Sequence, residues 1–179
     1  EMLPIIDKPL IQYAVEEAVA AGITQLVFIT NGSKHAIEEH FTVNSALESS
    51  LQDSSDASLL SSVQSIIPPD VTFHYITQST PLGLGDAVRH ARDIVDNQPF
   101  TVLLPDDLIS HGKAVSCLQQ MVTRFEQVGQ SIIAARPIAR ENSHRYGVVD
   151  ISQSLDMPGS LARLKGIIEK PQAADAPSN

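Results

Sequence analysis

"LIQYAVEEAVAAGITQLVFITNGS", residues 10–33, is the stretch whose reading decides the fold. Ile11, Ala14, Val15, Ala18 and Val19 recur at the i, i+3, i+4, i+7, i+8 spacing of one buried helix face. Pro9 suits the first turn of that helix and Gly22 the C′ position after it. Gln25–Thr30 follows as a near-continuous apolar run, the mark of a strand covered on both sides. Asn31-Gly32-Ser33 then predicts a loop, and a short helix runs through Phe41.

Strand, loop and helix return at Val71–Thr77, Leu82–Gly85 and Asp86–Val95. They return again at Phe100–Leu104 and around Lys113–Gly129, before a strand over Ser131–Ala135. Apolar strands alternating with helices predict an α/β fold with a doubly wound, mostly parallel, Rossmann-like sheet. A small β extension closes the chain. Tyr146–Ile151 and Leu161–Glu169 read as strands returning over the sheet's edge, with a turn at Asp156-Met157-Pro158-Gly159. One segment breaks the rhythm. Residues 46–66 hold eight serines, with Leu47, Leu51, Leu59, Val63 and Ile66 in a loose stripe. That pattern fits a weakly amphipathic helical insertion or a mobile lid.

Composition bounds the function. The 179 residues are 42% hydrophobic, enough for a core of one domain. No apolar run approaches the roughly 18 residues of a membrane span. Cys117 is the single cysteine, which excludes a disulfide framework and a CxxC metal site and predicts a reducing, cytoplasmic setting. The net charge of −9 without a basic cluster argues against a nucleic-acid polymer as partner. The six histidines show no zinc spacing, and Ser33-Lys34 lacks the Walker pattern.

In an open α/β sheet, ligands sit beyond the carboxyl ends of the strands. Three segments meet that rule. In "LLPDDL", residues 103–108, Asp106 and Asp107 end an apolar run; carboxylates there can grip Mg²⁺ or serve as a helix cap or turn. In "TQSTPLGLGDAV", residues 77–88, Gly83 and Gly85 admit a ligand to the backbone or simply form a turn. Gln78 carries a carboxamide that pairs with one donor and one acceptor, the pattern of a pyrimidine edge. In "IIEKPQ", residues 167–172, Glu169 can accept from vicinal hydroxyls and Lys170 can reach a phosphate, or the two can form a surface ion pair.

Together, "EMLPIIDKPLIQYAVEEAVAAGI", "GLGDAV", "LLPDD", "YGVVD" and "EKP" resemble the bacterial UTP–glucose-1-phosphate uridylyltransferases of the sugar nucleotidyltransferase superfamily, from Glu1 to Asn179. The resemblance implies transfer of a uridylyl group from UTP to α-D-glucose 1-phosphate, giving UDP-glucose and pyrophosphate with Mg²⁺. It implies Glu1, Gln78, Gly83, Asp106 and Asp107 beside the nucleotide, with Asp106 also the metal ligand. It implies Gly147, Glu169 and Lys170 at the sugar, with Asp106 and Lys170 catalytic. Lys8 of "DKP" is expected to position the first helix. A homodimer or homotetramer is expected for the full-length protein.

The family's G-x-G-T-R signature would lie just before Glu1. The chain is therefore expected to be a single nucleotidyltransferase-domain fragment, 1–179, lacking that loop and a C-terminal part, and itself inactive. Two other readings remain open: a sister enzyme using dTTP or CTP with another hexose 1-phosphate, and a non-catalytic sugar-nucleotide-binding relative.

Overall fold

The computed structural model describes residues 1–30, 35–54, 57–110, 114–153, 155 and 157–178. The predicted loop at Asn31-Gly32-Ser33, the Ser33-Lys34 pair, Lys113 and Asp156 lie outside them. The chain divides into two compact units, 1–119 and 120–179.

The first unit opens with a two-residue antiparallel ladder, β1 (Pro4–Ile5) on β2 (Lys8–Pro9), closed by Ile6 at φ 65°. Helix α1, Leu10–Ala20, follows, and it buries Ile11, Val15 and Ala18 as its periodicity predicts. Pro9 stands one residue before the helix, at the N-cap. Without a capping side chain, α1 satisfies its first amides from the preceding segment: Leu10 N–H donates to the Leu3 carbonyl and Ile11 N–H to the Glu1 carbonyl, both at 3.0 Å. Gly22, φ 86°, ends it as expected.

Strand β3, Gln25–Thr30, pairs in parallel with β4, Thr72–Thr77, in the register Leu26 to Phe73 and Phe28 to Tyr75. Between them come α2 (His35–His40), α3 (Ser45–Asp53) and α4 (Ala57–Gln64). One face of the β3–β4 pair carries the core. Ile11 and Val15 of α1, with Ile37 and Phe41, pack on Leu26, Phe28, Phe73 and Tyr75. Ring centroids of Phe28 lie 5.5 Å from Phe41, 5.9 Å from Phe73 and 5.4 Å from Tyr75. Burial of each fully covered side chain, such as Phe41 or Ile37, stabilises by about 1.5–3 kcal/mol.

The Ser-rich insertion is helical, as two helices that bury no residue. Asn44 caps α3 through Leu47 N–H. Serine hydroxyls bond back to carbonyls a turn earlier, as Ser62 does to Ser58. A side-chain bond from Gln64 to Glu48 links the pair at 3.0 Å.

After β4 the helical stretch predicted over Asp86–Val95 begins two residues earlier and breaks in two, α5 (Leu84–His90) and α6 (Arg92–Val95). The strand predicted at Phe100–Leu104 is not formed. These residues join no ladder among those described, and Phe100, Val102 and Leu104 are exposed. An apolar run supplies strand preference, but only a hydrogen-bonding neighbour makes a strand. The same holds in the second unit for Ser131–Ala135, where Ile133 is exposed.

Helix α7, Cys117–Val128, starts in the first unit and runs into the second. Ser116 caps it, accepting from Gln119 N–H at 3.2 Å, and Glu17 of α1 accepts from Leu118 N–H at 3.0 Å. Within the second unit a 3₁₀ turn over Arg140–Arg145, absent from the sequence reading, precedes an antiparallel hairpin of β5 (Gly147–Ile151) and β6 (Leu164–Glu169). The predicted tail strands are thus present, each slightly shorter.

Candidate functional site

Gln78 directly follows β4, and its N–H donates to the Thr30 carbonyl at 2.7 Å, carrying the parallel ladder one step past the strand. The carboxamide is held as well: Nε2 donates to Oδ2 of Asp86 at 2.8 Å. Asp86 stands in the first turn of α5. Gly83 forms the N-cap of that helix at φ 104°, where open space surrounds the Cβ position. A side chain would find room there but not a relaxed backbone. Gly85 has a similarly open flank.

Asp106 and Asp107 are exposed. Asp107 N–H donates to the Leu104 carbonyl at 3.1 Å, so Leu104-Pro105-Asp106-Asp107 is a β-turn with proline in its favoured second position. No helix follows over 107–110, so the structure favours a turn over a helix cap here. Neither carboxylate forms an ion pair among the described residues, and no group of three metal-ligating side chains occurs among them. A hard-oxygen pair of this kind suits Mg²⁺, which takes one or two carboxylates and completes its shell with phosphate oxygens and water.

Glu1 is exposed, and its carbonyl is engaged by α1. Lys8 is committed to structure: its ammonium pairs with Glu16 and sits 4.6 Å from the centre of the Tyr13 ring. Cys117 is half-buried; burial, with the charge of Glu17, pushes its thiol up and away from thiolate chemistry.

In the second unit the hairpin register sets Gly147 opposite Glu169. A methyl group on Gly147 would meet Glu169 Oε2 at 3.3 Å, so glycine leaves the carboxylate its place. Lys170 continues from Glu169 with φ 48°, and its N–H donates to the Tyr146 carbonyl at 3.0 Å. Its ammonium lies 3.3 Å from Glu169 Oε1, with both side chains largely exposed. Buried Ser143 fixes the following turn by donating to the Pro171 carbonyl at 3.0 Å. The structure thus brings Gly147, Glu169 and Lys170 together, and separately joins Gln78 to the α5 turn. Asp86, which the sequence reading took only as a helix start, is the residue it missed. Its signal was an acid one turn into a helix, eight positions past a strand-end glutamine.

A parallel strand pair with a held carboxamide at its carboxyl end, followed by a glycine turn into a helix, defines an α/β protein. The chain belongs to the nucleotidyl transferase family, whose model matches residues 1–179. It is 43% identical, over its whole length, to the UTP–glucose-1-phosphate uridylyltransferase of Haemophilus influenzae, covering 62% of that protein. It is 42% identical to the one of Escherichia coli K12, covering 60% of it. Among solved structures, the UTP-bound UGPase from Acinetobacter baumannii matches all of this chain with TM-score 0.95 and 37% identity, the match covering 62% of that chain. The chain therefore spans about three fifths of these relatives' length. No helix among the described residues is long and apolar enough to cross a membrane.

Proposed function

We propose that the protein to which this chain belongs is a uridylyltransferase. A phosphate oxygen of α-D-glucose 1-phosphate attacks the α-phosphorus of UTP. The bond from that phosphorus to the bridging oxygen breaks, pyrophosphate leaves, and UDP-glucose forms. What supports the reading most is the whole-chain likeness to a UTP-bound UGPase, at TM-score 0.95 and 37% identity.

In this reading Gln78 and Gly83 receive the uracil, with Glu1 beside the nucleotide. Asp106, assisted by Asp107, would hold Mg²⁺, whose charge offsets that of the triphosphate. Gly147 and Glu169 receive the glucose hydroxyls. Lys170 carries a positive charge for the phosphate, stabilising negative charge that builds in the transition state. Positioning and electrostatics suffice, and no covalent enzyme intermediate is needed. A cytoplasmic homo-oligomer belongs to the same reading.

The test uses the protein in its whole natural length, incubated with UTP, glucose 1-phosphate and Mg²⁺. UDP-glucose and pyrophosphate should appear in equal amounts. Asp106→Asn should cut the rate by on the order of a hundredfold without changing the melting temperature, since the carboxylate it alters is exposed. A folded wild-type protein that makes no UDP-glucose under these conditions defeats the reading.

A further inference from the structure

We propose that Asp86 is a positioning residue that sets the base preference of the nucleotide site by fixing which way the Gln78 amide faces. The proposal rests on the reading of Gln78 as the residue that meets the base.

A glutamine side chain is chemically two-faced. Its oxygen accepts and its nitrogen donates, and a half-turn about the last bond exchanges them. Left free, such a group reads an N–H next to a carbonyl, or a bare nitrogen next to an amino group, equally well. The first pattern is uracil, with a donor at N3 and an acceptor at O4. The second is cytosine, with an acceptor at N3 and a donor at N4. A lone glutamine therefore cannot separate UTP from CTP.

Asp86 removes the ambiguity. A carboxylate offers only acceptors, so the amide atom 2.8 Å from Asp86 Oδ2 must be the nitrogen. One Nε2 hydrogen is thereby spent, and Oε1 is turned to the side away from Asp86, with no donor on it among the described residues. The backbone is pinned at the same residue by the 2.7 Å bond from Gln78 N–H to the Thr30 carbonyl. On this proposal that oxygen faces N3 of the base, with the remaining Nε2 hydrogen toward position 4. Uracil N3–H satisfies it, whereas cytosine would bring two lone pairs together.

Asp86 is itself held in place. Its side chain is 17% exposed, and Arg89 Nη2 approaches Oδ1 at 3.8 Å. His90 Nδ1 donates to the Asp86 carbonyl at 2.8 Å and lies 3.6 Å from Oδ2. These contacts come from the next turn of α5 and hold the carboxylate where it meets Gln78.

The experiment compares kcat/KM for UTP and for CTP in the natural-length protein, its Asp86→Asn variant and its Gln78→Ala variant. Asparagine is nearly the same size but both donates and accepts, so the Gln78 amide can turn. Asp86→Asn should lower the UTP-to-CTP preference by about tenfold, the worth of one hydrogen bond. The change should fall mainly on KM for UTP, with a gain for CTP. In a Gln78→Ala background Asp86→Asn should change the ratio no further. Asp86→Ser, whose hydroxyl also serves both roles, should give the same loss and stands in should the asparagine variant lose its fold. If Gln78→Ala lowers the preference while neither Asp86 variant does, the positioning role is overturned and the Gln78 reading stands. If Gln78→Ala also leaves the preference unchanged, the reading of Gln78 falls and this proposal with it.

Discussion

Gly147 and Glu169 face each other across the β5–β6 ladder, and the carboxylate of Glu169 occupies the space a Gly147 side chain would need, at 3.3 Å. Glycine serves there by leaving room, not by adopting an unusual backbone angle: a Cβ would require the carboxylate to give way by a few tenths of an ångström. Gly147→Ala should push Glu169 aside, which its 72% exposed side chain can accommodate without unfolding. On the proposed uridylyltransferase reading, the expected result in the natural-length protein is an unchanged melting temperature and a severalfold higher KM for glucose 1-phosphate, about 1 kcal/mol of lost hydrogen bonding. Steady-state kinetics with UTP saturating would check it.

Lys170 adopts φ 48°, in the left-handed region that costs a non-glycine residue about 1–2 kcal/mol. Strain of this sort is retained where a side chain is needed. On the proposed reading, Lys170→Gly in the natural-length protein should keep or raise the melting temperature while abolishing uridylyl transfer, and Lys170→Ala should lose activity without the relief. A glycine variant that kept its rate would show that the ammonium has no part in the reaction.

Phe41 is 4% exposed and packs its ring 5.5 Å from Phe28 and 5.1 Å from Phe73. Truncation would leave a cavity under the β3–β4 pair. Phe41→Ala should destabilise by about 3–5 kcal/mol, the range for a buried phenylalanine. The shift in the urea midpoint at constant slope would measure it.

His40 stands edge-on to Phe41 at 4.8 Å and meets Gln12 Oε1 through Nε2 at 3.0 Å. Burial disfavours its charged form and holds its pKa below the usual 6.5. In that window the unfolded chain binds more protons than the folded one, so stability rises with pH. The His40 contribution is complete above 6.5 and is lost as the pH falls through the lowered value. His40→Gln should flatten the dependence of unfolding free energy on pH below 6.5 relative to wild type. Identical curves for the two proteins would refute the assignment.

Local signals are legible in the sequence. The apolar stripe of α1, Gly22 beyond its end and the run of β3 stand where the sequence puts them, and β4, β5 and β6 are present but begin one to three residues later. Phe100–Leu104 and Ser131–Ala135 have strand composition but no paired neighbour among the described residues, so no strand forms there. The 3₁₀ turn at Arg140–Arg145 and the ladder at Pro4–Ile5 were invisible for the opposite reason: each is too short to show a period.

What the sequence determined by itself was the α/β class and the identity of the chemically able residues, since periodicity, prolines, glycines and acids at strand ends act through near neighbours. What only the tertiary structure decided was which of those residues meet. The hairpin register sets Gly147 against Glu169. The turn into α5 brings Asp86 to Gln78. The approach of residues 1–3 to α1 caps its first amides. A hydrogen bond is specified by distance and direction, and those are fixed only when the chain has folded back on itself.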